Sequence, residues 1–535
     1  MEHSRPQSQN DQGAAGGQRA SGSAWTGIPK LSVVCYLAGS ILFLYLSLFV
    51  VKVGPIYQNG DQLIYLENAV KMLEGQTMYS DFFQFTPPGT EFVYLCLFKL
   101  VGVHLWIPSL VLLLLGSVFM WLSVVIARRL MSGSDVFLPG LLFLTCGYFW
   151  WLDGTHHWFS SLCVMAVLAI LVENRSPARL LAAGGLCGLA LCFTQFRGLM
   201  ALVGLLAFLF WENRDKRQTM AVLLQKLACS VGAFLLVVLG FNAYFAWKAG
   251  LANFWWCTVT FGLKYYTDWP GNTWRMLVLN FPRLHHWSHE LPRAALYLFN
   301  IGIAPLVYAV FFYCSPRIRR SCPRELSDRL MLLGFVGASL FVGIAPAVGE
   351  LRAISIYLPA LVLMVWLCRS WGQAGRRTLY ALWITALLLA IVEPASRQTH
   401  WRAQLILPTG RMAILDPLTY DMHRWVLERT KPSELFFEEE VPRLYFTLDL
   451  RNPAPVPFLT TTEYTRPEQV GGVIQALAAH QVRLVMTSPF LNLPPYGRDW
   501  GDHLAPLRAY VATHYQWVKT FPNGEQVWER QEAER

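Results

Sequence analysis

An apolar run from about Leu31 to Val53, near the roughly 20 residues that a helix needs to cross the hydrocarbon layer, opens a long series of apolar runs, several of them shorter. A sequence of this kind has few folds open to it. With 54% hydrophobic residues and a mean hydropathy of +0.36 over 535 residues, it is too apolar for one soluble core and reads as a polytopic α-helical membrane protein. The stretch before Leu31 is Gly-, Ser- and Gln-rich, carries Arg5, Arg19 and Lys30, and has no signal-peptide cleavage pattern. Residues 1–30 are therefore expected to form a disordered cytoplasmic tail.

Spans and orientation are solved together, because cytoplasmic loops carry the excess of Lys and Arg. The second apolar piece, Pro87 to Val103, contains Glu91 and Lys99 and is short. If it crossed, Arg128-Arg129 would lie outside and every later basic cluster would be inverted. Laid along the outer interface as an amphipathic helix, it puts all the clusters inside. Spans then follow at about 106–127, 136–152, 158–172, 180–194, 198–211, 227–247, 295–314, 330–347, 354–368 and 379–393, about 11 transmembrane helices with the first. The inside connections are Arg128-Arg129, "ENRSPAR", "ENRDKR", "SPRIRRSCPRELSDR" and "RSWGQAGRR". The outside ones are the first loop, "DGTHHW", "TQFRG", the segment from Lys248 to Arg293, and "GELRA".

Long apolar runs stop at about Ala395, and an odd number of spans puts residues 395–535 outside as an exported α/β domain. Its pattern predicts a helix near "TYDMHRWVLERT", a strand at "ELFFEE", a helix at "PEQVGGVIQALAAH", a buried strand at "VRLVMTS" and a hairpin over "YQWVKTFPNGEQVWER". None of the 11 cysteines falls in this domain and none forms a CxxC pair, so the sequence calls for neither a disulfide framework nor a cysteine zinc site.

The first outward loop carries the chemistry. Leu63, Leu66, Val70 and Leu73 recur at helical spacing, so a helix starting at Asp61 is expected to lie on the membrane. By itself Asp61 reads as an ordinary N-cap. Its company changes the reading: Asp81 and Glu91 follow in the same loop and Asp153 opens the next outward one. Acidic groups gathered at the outer ends of apolar helices are costly to hold without a task. His156 and His157 follow Asp153, but adjacent histidines seldom converge on one ion, and polar contact at the interface, beside Trp150, Trp151 and Trp158, is the plainer reading. The "HHWSH" cluster at 285–289 and the aromatic "NFWWCTVTFGLKYYTDW" read as membrane-surface elements, with sugar stacking on Trp or Tyr as the alternative.

Asp61 and the helix after it, "EGQTMYSDFFQFTPPGTEFVYLCLFKLVG", "WLDGTHHW" and "GELRAISIYLPALVL" resemble, in that order, the GT-C membrane glycosyltransferases. The nearest branch is the family 39-like group that contains the protein O-mannosyltransferases and the aminoarabinose transferase acting on lipid A. The resemblance covers residues 31–394 in layout and is sharpest over 55–103. It implies a GT-C transmembrane catalytic domain with two juxtamembrane helices in the first loop. It also implies an inverting transfer of a sugar from a polyprenyl-phosphate donor to a hydroxyl on a glycan, lipid or protein acceptor. Asp61 would be the catalytic base. Asp81, Asp153, Glu91 and His156 would contact substrate, and Arg197 and Arg352 would hold the phosphate, since Gln195 stands where relatives often carry Lys. Relatives commonly show Asp-Glu where this chain has Asp61-Gln62, so no metal ligand is assigned; no cofactor is called for, and a divalent cation stays open. The resemblance places the protein in a bacterial cytoplasmic membrane with the active site facing the periplasm or exterior; nothing calls for nucleic acid. Two other classes fit an apolar chain of this size. A lipid-linked sugar flippase or transporter should show paired repeats and mid-membrane charge, neither of which is apparent. In a non-catalytic membrane protein with an exported binding domain, Asp61 and Asp81 would be solvated loop residues.

Overall fold

The computed structural model describes residues 29–266, 273–282, 287–345, 347–492 and 501–531. The amino-terminal tail, the histidine cluster at 285–289 and the end of the aromatic stretch at 267–269 lie outside the described residues or side chains. After α1 (Lys30–Leu48), a short hairpin of β1 (Phe49–Val50) and β2 (Gly54–Pro55) leads to α2 (Gln62–Leu73) and α3 (Gly89–Val101). The membrane part continues with α4 (Trp106–Ala127), α5 (Leu138–Leu142), α6 (His156–Leu171), α7 (Pro177–Phe193), α8 (Gln195–Asp215) and α9 (Met220–Ala249). It is completed by α10 (Leu251–Trp255), α11 (Trp274–Leu279), α12 (Trp287–Ser321), α13 (Arg324–Ile344), α14 (Glu350–Ile356), α15 (Leu358–Ser370) and α16 (Gly372–Thr399).

Among the described residues, seven helices are long and apolar enough to cross a membrane, and α14 with α15, bent by 59° at Tyr357, make an eighth if counted as one span. Helices α6 and α7 are apolar but shorter, so the expected figure of about eleven depends on counting shorter pieces as crossings. The expected span 136–152 is not one helix. It is α5 followed by a π-helical turn at Phe143–Gly147 and a 3₁₀ turn at Tyr148–Trp151. The first span ends at Leu48, and α16 runs through Pro394 to Thr399, past the boundary expected near 395. Helix α3, at 13 residues, is about 20 Å long at 1.5 Å per residue, short of the ~30 Å hydrocarbon layer. It packs on α2 instead, with Glu91 and Tyr94 fully buried.

The basic connections meet at one end of the bundle. Arg175 and Lys216 both pair with Glu212 (2.6 and 2.8 Å) and with Asp328 (3.4 and 2.8 Å). Arg329 donates to the carbonyls of Val172 and Arg129, both at 3.0 Å. The loops after α4, α6, α8 and α12 are thereby brought together, as the positive-inside arithmetic requires. The acidic first loop and the turns at Asp153, Arg197 and Arg352 assemble at the other end, under the carboxy-terminal part.

That part starts with a hairpin of β3 (Ala403–Leu407) and β4 (Gly410–Ile414), which the sequence pattern did not reveal. It continues with α17 (Pro417–Leu427), β5 (Phe436–Glu438), α18 (Tyr445–Leu448), α19 (Pro467–Ala479), β6 (Leu484–Thr487), α20 (Ala505–His514), β7 (Tyr515–Thr520) and β8 (Gln526–Arg530). The sheet order is β5-β6-β8-β7, with β5 and β6 parallel across α19 and the rest antiparallel. The terminal hairpin turns at Pro522-Asn523-Gly524, where Gly524 takes φ +87°, a region that L-residues avoid. This sheet region is seated on the membrane part by backbone bonds: Leu105 to Thr409 (3.1 Å), Tyr57 to Ala413 (2.9 Å) and Phe83 to Pro455 (2.7 Å). In a cysteine-free background, single cysteines at the exposed positions Arg217 and His480 are expected to react with a membrane-impermeant thiol reagent from opposite faces of the membrane; labelling from the same face would contradict the two-ended arrangement.

Candidate active site

The first loop is organised by a carboxylate from the second. Asp61 occupies the N-cap position of α2, yet its side chain makes no capping hydrogen bond. The cap comes from Asp153, 92 residues away: its Oδ2 accepts from the Asp61 amide at 3.0 Å and its Oδ1 from the Gln62 amide at 2.8 Å. Gln62 locks the pair from the other side, accepting from the Gly154 amide at 2.9 Å. Gly60 makes the approach feasible, since a Cβ at this position would lie 2.5 Å from Asp153 Oδ2.

Freed from capping, the Asp61 carboxylate remains exposed although protein surrounds it. Desolvation pushes its pKa above the ordinary carboxylate range, and the positive charge of Arg352 pulls the other way. Asp153 is raised well above that range, by its burial and then by the negative charge of Asp61.

Beside Asp61 lies a cavity of about 310 Å³ with an apolar wall that includes Leu191, Leu199, Leu340 and Ile344 and a polar end of His156, His157, Thr194, Gln195, Arg197 and Arg352. Asp61 does not line it but stands within electrostatic reach of Arg352 and Tyr65. Tyr65 in turn hydrogen-bonds His156 Nδ1. Arg352 lies over the Tyr266 ring and hydrogen-bonds its hydroxyl. Its neighbour Glu350 receives a hydrogen bond from Asn300 at 3.4 Å.

Arg197 is buried, and its guanidinium binds Ser160 Oγ (2.8 Å), Ser161 Oγ (3.0 Å), Ser355 Oγ (2.7 Å) and His157 Nδ1 (3.2 Å). It ties α6, α8 and α14 together at the polar end of the cavity. Gln195 uses its amide to join Phe85 (2.8 Å) to Thr258 (3.1 Å), holding the strap after Asp81 against the segment that follows α10.

Two expected site residues lie apart from this group. Glu91 is fully buried between α2 and α3, accepts from Gln84 at 2.9 Å, and has its pKa pushed up to about 8 by burial. Asp81 accepts from the Thr77 amide at 2.6 Å and lines a separate cavity. Tyr65, Tyr266 and Tyr464 were not singled out by sequence. The first sits mid-helix, the second inside an aromatic run, and Tyr464 comes from the carboxy-terminal part, where its ring meets Phe85 (5.7 Å) and Phe261 (5.2 Å). Among the described residues no group of three His, Cys, Asp or Glu side chains could hold a metal ion. With Asp153 committed to the cap, Asp61 is one open carboxylate, too few protein ligands for a calcium-type cage.

Replacing Asp153 with Ala is expected to speed hydrogen exchange at the Asp61 and Gln62 amides and to cost about 0.5–2 kcal/mol, the range for a lost cap. Unchanged exchange at both amides would rule out the cap.

No protein-family model matches the chain, and no curated protein matches it by sequence. Among the solved structures that match, two crystal structures align over nearly the whole length of both chains. The crystal structure of ArnT from Cupriavidus metallidurans bound to undecaprenyl phosphate aligns with a TM-score of 0.61 and 15% identity, covering 94% of this chain and 98% of that one. ArnT in the apo state aligns with a TM-score of 0.59 and 16% identity, covering 95% and 98%. ArnT is an aminoarabinose transferase of the GT-C superfamily. The shared architecture, together with the apolar helices, makes this chain a multi-pass membrane protein with the GT-C fold.

Proposed function

We propose that the protein is an inverting glycosyltransferase that moves a sugar from a polyprenyl-phosphate donor to a hydroxyl acceptor. The observation that carries this reading is the juxtaposition of an uncommitted carboxylate, Asp61, with a cavity whose apolar wall ends in cationic and polar side chains. A lipid tail finds hydrocarbon-like surface along Leu191, Leu199, Leu340 and Ile344, and its phosphate meets the end carrying Arg352. The matched ArnT structure was solved with undecaprenyl phosphate, which supports a donor of this class.

In the reaction the acceptor oxygen attacks the anomeric carbon as its proton passes to Asp61. The bond between that carbon and the phosphate oxygen breaks, the configuration inverts, and polyprenyl phosphate leaves with the electron pair. Arg352 offsets the charge that grows on the leaving phosphate, its planar fork suiting two oxygens. Arg197 acts one step removed, fixing His157 and Ser355 at the cavity end. The Asp153 cap directs the backbone at Asp61, so the base is held in place before substrate arrives. The bundle end carrying the basic loops faces the cytoplasm, and the site and carboxy-terminal part face the periplasm or exterior of a bacterial cytoplasmic membrane. Sugars bound to lipid are the activated donors available on that side.

Asp61→Asn is expected to lower turnover about 10²–10⁴-fold, the usual contribution of positioned proton transfer, with donor affinity kept; transfer of radiolabelled sugar by purified protein measures it. A rate within a few-fold of wild type removes Asp61 from the role of base. Because the ionised form is the active one, turnover should rise with pH through the elevated pKa of Asp61. Arg352 lowers that pKa, so Arg352→Gln should move the acidic limb of the pH–rate profile to higher pH, besides weakening donor binding. An unmoved limb would show that the two groups are not coupled.

A further inference from the structure

The guanidinium at the end of the first cavity is not held by its neighbouring turn alone. Arg352 donates to the Ala347 carbonyl at 2.5 Å and to the Tyr266 hydroxyl, and it lies 5.4 Å from the centre of the Tyr266 ring. That ring meets Phe85 at 4.5 Å and Tyr464 at 6.3 Å between centroids, and Phe85 and Tyr464 meet each other edge-on at 5.7 Å. Three rings thus close a triangle beside Arg352, one from the strap after Asp81, one from the segment after α10 and one from the carboxy-terminal part. Tyr464 is itself well fixed. It is 5% exposed, Phe458 stacks on it at 5.2 Å, and in the loop that carries it Thr465 Oγ1 accepts from the Thr460 amide at 2.7 Å. Two residues on, Arg466 lies 4.4 Å from the centre of the Tyr265 ring. The carboxy-terminal part therefore grips two consecutive residues, Tyr265 and Tyr266, and the second of them carries Arg352. The Tyr464 hydroxyl is also within electrostatic reach of Tyr266 and Asp61, which sets it at the same end of the site.

We infer that Tyr464 is a positioning residue for donor binding: through Tyr266 and Phe85, the carboxy-terminal part holds Arg352 in the orientation that receives the lipid phosphate. An arginine side chain has many rotamers, and affinity is lowered by whatever freedom must be given up when the ligand arrives. A tyrosine that engages the guanidinium with both its face and its hydroxyl removes much of that freedom beforehand, provided the ring is itself fixed. Tyr464 and Phe85 fix it from two sides. Phe85, Tyr266 and Arg352 line the first cavity, whereas Tyr464 is set back from it, so its effect on the lipid passes through the other rings. The inference rests on reading the first cavity as the donor site, and it gives the carboxy-terminal part a share in donor affinity.

The test is binding rather than transfer. Calorimetry on the full chain in lipid nanodiscs, referenced to empty nanodiscs, would titrate farnesyl phosphate, a short polyprenyl phosphate, with farnesol as the probe lacking the phosphate. Tyr464→Ala should bind farnesyl phosphate about five- to tenfold more weakly, the scale of a lost aromatic contact, with farnesol binding unchanged. Tyr464→Phe, which keeps the ring, should regain most of the loss. Added to Arg352→Gln, Tyr464→Ala should weaken binding no further, because both changes act on one contact. Tyr464→Leu keeps apolar volume without a ring and gives the same comparisons if Tyr464→Ala fails to fold. The inference is overturned if the ringless variant binds as tightly as wild type, if farnesol binding falls equally, if the losses add in the double variant, or if Tyr464→Phe is as weak as the ringless variant. No saturable binding to the wild type would overturn the donor-site reading and this inference with it. Binding that falls in Arg352→Gln but not in the ringless variant would overturn this inference alone.

Discussion

The candidate site depends on one pair of hydrogen bonds, from the amides of Asp61 and Gln62 to the carboxylate of Asp153. A helix start leaves amides in need of acceptors, and the residue in the capping position commonly supplies one. Here the acceptor is borrowed from the loop before α6, which fixes the two loops to each other and leaves the Asp61 carboxylate uncommitted. The same contact sets the electrostatics. Burial raises the pKa of both carboxylates, the charge of Asp61 raises Asp153 further, and Arg352 counters the effect of burial at Asp61.

Around that contact the polar end of the cavity is built from cross-links rather than from single elements. Arg197 joins three helices through serine hydroxyls and His157, Tyr65 joins α2 to His156, and Gln195 fastens the strap to the segment after α10. Each side chain is buried or half-buried, where hydrogen bonds are stronger and their loss costs more. Short helix ends that would fray alone are held in one geometry. The broken stretch from α5 to Trp151 has a place in this design, because it delivers the chain to Asp153 at the start of α2, where an uninterrupted helix would have carried it on.

The carboxy-terminal part packs against the aromatic residues beside the site rather than hanging as a tethered appendage. Tyr464 enters the aromatic group around Phe85 and Phe261, Arg466 lies 4.4 Å from the centre of the Tyr265 ring, and the backbone bonds at Ala413 and Pro455 extend the contact along the first loop. Aromatic packing of this kind adds about 0.5–1.5 kcal/mol per pair beyond burial. One apolar core runs from α4 into the first hairpin of this part, including Ile107, Leu405 and Phe446.

What the sequence determined by itself was whatever depends on local composition and period: the run of apolar helices, the grouping of basic loops, a first-loop helix, α3, too short to span, and most elements of the carboxy-terminal sheet. Those signals are local, since a residue's hydropathy and its neighbours at three, four or two positions decide them. The acidic character of the first loop and of the turn before α6 was legible for the same reason, and it brought Asp61 and Asp153 into view, while Arg197 and Arg352 came from the family resemblance. The division of labour between the two acids was not legible. Asp61 and Asp153 look alike in sequence, and only the fold, by placing Asp153 at the start of α2, made one the cap and left the other open. Glu91 and Asp81 looked equivalent to them, yet burial between α2 and α3 took one away and the turn at Thr77 took the other. Tyr464 could not be connected to Phe85 at all, because a contact across nearly four hundred residues is set by how whole layers pack, and packing leaves no period in the sequence.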